Sequence, residues 1–244
     1  MPPPLITSMN DVEEKRLDAG LYRLLAWLSP GFPIGAFSYS HGLEAAVESG
    51  AVRDLISLQS WISAILAAGS GRIDADILRD AHRAAAKADI EALLLANQRG
   101  VAFRATAEMA LETTAQGAAF LAACRAAWPD SLLDRWAAAI DDGRGAVCYA
   151  AGIGAATARA GISLDYALTG YFLAMAANLV SAGLRLGIIG QTDGQRILAA
   201  LEPVIGAAVA GALQREPCSF GSATFAVELA SMAHETQYSR LFRS

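Results

Sequence analysis

The chain has 244 residues, enough to bury a substantial core and few enough for a single domain. Its net charge of −5 and pI near 5.2 exclude the broad basic field of a nucleic-acid binder, because such a surface repels phosphate. Three dispersed cysteines, Cys124, Cys148 and Cys218, exclude a disulfide framework and a CxxC site, and a reducing cytoplasmic setting is expected.

Residues 1–17, with Pro2-Pro3-Pro4 and the charged stretch from Asp11 to Arg16, carry no apolar signal-peptide segment and are read as a mobile arm. Helical spacing then dominates, with alanine supplying much of the small apolar surface, so the expectation is an all-α, single-domain bundle of about ten helices over 18–233, followed by a tail over 234–244. Asp18 is placed to cap a first helix bearing Leu21, Leu24, Leu25 and Leu28, stopped by Ser29-Pro30. A glycine- and proline-rich loop follows. Ser40 is read as the start of a helix through Glu48, and Asp54 as the cap of another bearing Leu58, Ile62 and Ile65, each closed by glycine. Further helices are predicted over 73–87, 89–98, 104–127 (ended by Trp128-Pro129), 132–140, 146–159 and 164–186. Thr192-Asp193-Gly194-Gln195 reads as a capping box, and Pro203 is expected to kink or break the helix it opens.

The uncharged run Tyr166 to Leu184 is long enough to span a bilayer, but its alanines, Thr169, Asn178 and Ser181 favour a buried central helix and no membrane role. No GxxxxGK[ST] loop, HExxH or GxSxG motif occurs, and the short glycine pairs at 143/145 and 152/154 read as turn or close-packing positions. Neither a catalytic site, a metal site nor a cofactor is expected. His41 and Glu44, at i, i+3, offer at most two ligands, and a histidine tying the loop to its helix is the simpler reading.

The densest signal is Trp27-Leu28-Ser29-Pro30-Gly31-Phe32-Pro33-Ile34-Gly35-Ala36-Phe37-Ser38-Tyr39-Ser40-His41-Gly42-Leu43-Glu44. Phe32, Phe37 and Tyr39 crowd a loop stiffened by proline, a way to present aromatic area with little entropy left to lose. This run resembles the N-terminal signature of the urease accessory protein UreF family, FPIG leading into SYSHGLE. Two further segments resemble the same family: Gly190 to Leu198, with its Q-x-DGQ helix start, and the terminus His234 to Ser244. Their order and span, from Trp27 to the last residue, make the resemblance specific.

The resemblance implies an α-helical homodimer without chemistry of its own, which binds the accessory protein UreD (also called UreH) and recruits the GTPase UreG to the urease apoprotein for nickel delivery. It places UreD on the tail, through His234, Glu235, Tyr238, Arg240, Leu241 and Phe242, with the tail becoming ordered on docking; Tyr238, Leu241 and Phe242 are expected to be unsheltered. It places dimer contacts on the 164–186 helix, at Thr169 and Leu173. A UreG-recruiting face is assigned to Phe32, Pro33, Tyr39, His41 and Glu44 with Gln191, Asp193 and Gln195. An alternative has Gln191 or Gln195 gating the GTPase by positioning water, against a plain role for Gln195 in closing the capping box.

Overall fold

The computed structural model describes residues 19–244; the expected arm over 1–17 and the Asp18 cap lie outside the described residues. Among the described residues the chain is all-α, with eleven α-helices and no strand. In chain order these are α1 (Ala19–Trp27), α2 (Leu43–Glu48), α3 (Leu55–Ala68), α4 (Ser70–Ala86), α5 (Ile90–Ala102), α6 (Ala107–Ala127), α7 (Ser131–Ala139), α8 (Tyr149–Arg159), α9 (Leu164–Arg185), α10 (Gln191–Gln214) and α11 (Phe225–His234).

Most starts follow local chemistry. Asp54 and Ser57 form a reciprocal capping box on α3, with Ser57 N donating to Asp54 Oδ1 at 2.8 Å and Asp54 N to Ser57 Oγ at 3.1 Å. Asp89, Thr106 and Asp130 cap α5, α6 and α7 in the same way, each accepting from an amide two or three residues on. Helix α6 ends at Trp128, immediately before Pro129.

The expected 164–186 helix, α9, packs against α1, α2, α3, α4, α8 and α10, and α4 is central beside it. Helix α4 packs against α3, α5, α8, α9 and α10, and its Ile77, Leu78 and Ala81 are wholly buried. Gly154 of α8 lets the two backbones meet, since a Cβ there would strike the Leu78 carbonyl oxygen and sit 3.1 Å from the Ala81 Cβ. Three charged residues of α4, Asp74, Asp76 and Arg79, are buried as well. Arg79 bonds Asp76 at 3.0 Å and closes the end of α10 by donating to the Ala212 carbonyl at 2.7 Å. Asp74 accepts from Arg104 at 2.7 Å and from the Tyr171 hydroxyl at 2.8 Å.

Several boundaries differ from expectation. The helix predicted from 104 starts at Ala107, because Arg104 turns inward to Asp74 while Thr106 caps; the one predicted from 146 starts at Tyr149, after Cys148 N is drawn to Asn97 Oδ1 at 2.8 Å. Helix α10 begins at Gln191, so Thr192 lies inside its first turn and the expected capping box with Gln195 is not formed. It also runs on through Pro203. That proline is exposed, and so is Ala199, whose carbonyl loses its intrahelical donor and is met by solvent instead. The apolar residues Ile197, Leu201, Ile205 and Val209 meanwhile hold one face of α10 to the body. Helix α11 has no counterpart in the sequence reading. Both α9 and α10 are long and apolar enough to cross a bilayer, where the sequence reading singled out only the first.

Candidate partner-binding surface

The loop after α1 turns inward before it reaches α2. Phe32 packs against Phe120 and Trp128, with ring centroids 5.4 Å and 6.4 Å away, and Trp27 meets the same two rings edge-on. Tyr39 is buried, and its carbonyl accepts from Asn178 of α9 at 3.3 Å. The expected display of loop aromatics therefore reduces to Phe37, 67% exposed, beside an exposed Pro33. Burying the Phe32 and Tyr39 rings removes far more apolar area from water than displaying them would.

Next the backbone turns left-handed at two successive residues, His41 (φ 58°) and Gly42 (φ 77°), which starts α2 at Leu43 rather than at Ser40. Ser40 still accepts from the Glu44 amide at 3.3 Å. Gly42 is required for a second reason: a Cβ there would lie 2.9 Å from Ser231 N and 3.2 Å from the Val227 carbonyl of α11. Helix α11 thus crosses directly over the start of α2.

The first and last sequence motifs, about two hundred positions apart, meet at this crossing. Glu44 Oε1 accepts from Leu241 N at 2.7 Å, and its Oε2 from Phe242 N at 2.9 Å and the His234 ring at 3.0 Å. The other ring nitrogen of His234 lies 2.7 Å from Glu108 Oε2, and Glu108 Oε1 accepts from Arg240 at 2.8 Å. Ser40 donates to the Ser244 carbonyl through its amide at 2.7 Å and through its hydroxyl, while Arg243 N donates to the Ser38 carbonyl at 2.7 Å. His41 sits between Glu112 Oε2 at 3.2 Å and Ser70 Oγ at 2.6 Å, so it ties the loop to α6 and α4, not to α2. Burial pushes the Glu112 carboxyl upward, but His41 and the Ser244 hydroxyl outweigh it and hold that group below the usual carboxylate range.

The tail is accordingly a docked strap with two faces, which corrects the expectation of an unsheltered side chain at Phe242 and leaves it standing at Tyr238 and Leu241. Phe242 is buried, with the Arg185 guanidinium 4.2 Å from its ring centroid, and His234 and Ser244 are wholly buried. Tyr238 and Leu241 project outward, and Glu235 anchors the exposed start of α6 by accepting from Ala107 N at 3.1 Å. Alongside, Phe225, Leu229 and Met232 form an exposed apolar stripe on α11 at i, i+4, i+7. This stripe was legible as helical spacing; Glu108 and Glu112 were too, as carboxylates one turn apart on α6, but nothing local shows what they hold.

The third motif stands apart. Gln191, Thr192 and Gln195 are exposed on the first turn of α10, and Asp193 pairs with Arg196 at 2.9 Å. Among the described residues no hydrogen bond or ion pair joins this turn to the strap. On α9, Thr169 is exposed with its hydroxyl returned to the Asp165 carbonyl at 2.8 Å, and Leu173 is 49% exposed. Leu173 borders a cavity of about 550 Å3, with Leu25, Leu28 and Phe37 also in its apolar wall and Asp74 and Arg104 among its polar lining. No group of three or more His, Cys, Asp or Glu among the described residues is placed to hold a metal ion.

An all-helical body that folds its own C-terminal segment onto a carboxylate-rich crossing, beside an uncovered apolar stripe, has the anatomy of a protein-binding accessory factor. The comparisons with known proteins agree. The profile of the UreF family matches residues 52–202, and three relatives carry the description urease accessory protein UreF. One from Rhodopseudomonas palustris strain BisB18 is 46% identical over 244 residues, covering 98% of this chain and all of the relative. Another from strain BisB5 is 50% identical over 93% of this chain and 92% of its own length. A third, from Granulibacter bethesdensis, is 47% identical over 93% of this chain and 95% of its own. The chain belongs to the urease accessory protein UreF family.

Proposed function

We propose that this chain is a cytoplasmic scaffold that binds UreD (UreH) and recruits the GTPase UreG to the urease apoprotein, so that nickel, as cargo, is delivered to the maturing enzyme. In this reading it acts as a homodimer and performs no bond chemistry. The observation that carries it is the exposure of the strap's outward side chains and of the stripe on α11: Tyr238, Leu241, Phe225, Leu229 and Met232 are large apolar side chains left in water. UreD is assigned there. The dimer is assigned to α9 around Thr169 and Leu173, where Leu173 and Phe37 leave apolar surface beside the cavity.

The test is co-purification with UreD followed by size measurement. Tyr238→Ala with Leu241→Arg removes both outward anchors and leaves the buried bonds of His234, Phe242 and Ser244 untouched, so helicity and melting temperature stay at the wild-type value while UreD binding weakens at least about 30-fold. Undiminished binding by this variant refutes the assignment. Truncation before His234 is the poorer test, because it leaves Glu44 and Glu108 buried without their shared partner.

A second reading, that this chain gates UreG turnover, is favoured by the exposure of Gln191 and Gln195, neither of which is spent on a capping box. UreG hydrolysis measured with wild type and with Gln191→Ala, Gln195→Ala decides it: an unchanged rate leaves gating without its residues.

A further inference from the structure

We propose that the cavity beside α9 is a binding site for an uncharged amphiphile, a molecule with an apolar body and a hydroxyl-type head that both accepts and donates hydrogen bonds. The proposal concerns the isolated chain and does not rest on which protein partner it meets.

The cavity, about 550 Å3, has the size of a small-molecule site, and it joins an apolar wall that includes Leu24, Leu28, Met109 and Leu179 to a cluster of sheltered polar groups. Two donors in that cluster have nothing to bond. The Arg104 side chain is only 5% exposed; its Nε donates to the Gly100 carbonyl at 2.7 Å and its Nη2 to Asp74 at 2.7 Å and Cys148 at 3.2 Å, but its Nη1 has no partner among the described residues. The Tyr149 hydroxyl has none either, although Phe120 and Tyr171 hold its ring, each at a centroid distance of 5.7 Å. Neither atom is among those shut away from water unbonded, so both open to the cavity that their side chains line. A sheltered donor calls for an acceptor. Water satisfies these donors but leaves the apolar wall wet, whereas an amphiphile answers both.

The neighbouring charges select the head group. Asp74 and Glu112 are two acids against one guanidinium, so an anionic head would bring a third negative charge into the site. An ammonium head finds no free carboxylate oxygen: those of Asp74 accept from Arg104 and the Tyr171 hydroxyl, and those of Glu112 are engaged by Gln116 on one side and by His41 and Ser244 on the other. Beside the two idle donors stands one idle acceptor, Oε1 of the buried Gln116, whose amide nitrogen donates to Glu112 at 3.2 Å. These groups are neighbours. Arg104 Nη2 touches Cys148, Tyr149 is next in sequence, and Tyr149 N donates to Thr113 Oγ1 at 3.4 Å, one turn before Gln116 on α6. A hydroxyl suits all three, since it accepts twice and donates once.

The test is calorimetric titration of the full chain with three probes of equal chain length, n-octanol, octanoate and octylammonium, at about pH 7.5, where the last two are charged. Tryptophan emission is followed alongside, because Phe32 of the cavity wall packs on Trp128. The expected result is saturable uptake of one n-octanol per chain with a Kd of about 1 mM or tighter, and binding of either charged probe at least about tenfold weaker. Tyr149→Phe removes an oxygen that bonds nothing in the fold, so the chain stays folded while n-octanol affinity drops at least about threefold. Ala174→Phe, which sets a ring into the cavity, abolishes uptake. Absence of saturable uptake, a charged probe that binds as tightly as n-octanol, or undiminished affinity in Tyr149→Phe or Ala174→Phe overturns the proposal.

Discussion

Replacing Gly42 by alanine isolates the crossing of α2 and α11. Gly42 holds φ at 77°, a left-handed conformation that costs an alanine about 1 kcal/mol, and the new Cβ lies 2.9 Å from Ser231 N and 3.2 Å from the Val227 carbonyl oxygen. Both neighbours are backbone atoms of α11. No rotamer relieves the contact, so the helix itself must move, at the cost of about 2 kcal/mol typical of overpacking. The combined loss is about 3 kcal/mol, which in a chain of this size lowers Tm by about 6–12 °C. Gly35 is the control. It has a similar φ of 70° and nothing within 4 Å of its hypothetical Cβ, so Gly35→Ala carries only the conformational part, a fall of about 2–4 °C. Thermal unfolding followed by circular dichroism measures both. Equal shifts for the two variants would refute the reasoning, since they would leave the close approach without energetic weight.

Arg79→Met removes a buried guanidinium from Asp76 and from the Ala212 carbonyl at the end of α10; with Arg215 still 2.7 Å from Asp76, the loss in urea unfolding is about 3 kcal/mol, and adding Asp76→Asn recovers part of it. Glu112 titrates below the usual carboxylate range, so its contribution to stability is present above its unfolded value and is lost as pH falls through the folded one. The urea midpoint of the wild type consequently drops further between about pH 5 and pH 3 than that of Glu112→Gln. Of the three thiols, Cys124 and Cys148 are buried and burial pushes Cys124 up to about 12, whereas Cys218 is exposed; a thiol reagent titrates one group rapidly in the native chain and all three after denaturation.

What the sequence disclosed was governed by neighbours along the chain. The cap at Asp54 and the stop at Trp128-Pro129 are set by groups within four residues, and they stand where the pattern put them. Thr192-Asp193-Gly194-Gln195 also has the local form of a cap, but α10 begins two residues earlier, at Gln191, and its buried residues at 197, 201, 205 and 209 hold the helix irrespective of that box or of Pro203. The site was half legible. Its motifs were visible at both ends of the chain, yet nothing local to Glu44 announces Leu241 and Phe242, and nothing local to Phe242 announces Arg185. The display of aromatics therefore met expectation only in part: Tyr39 and Phe242 went in, Phe37 and Tyr238 stayed out, and Phe225 is exposed on an unpredicted helix.

Because Glu44, Ser40 and the Ser38 carbonyl already fix the strap's main chain, Tyr238 and Leu241 stand in water on a backbone that has surrendered its freedom beforehand. A visiting protein meets a rigid pair of anchors and has little ordering left to impose, so its grip depends on carboxylates it never touches. Glu44→Gln, hidden beneath the strap, would then shorten the life of a complex formed wholly on the other side.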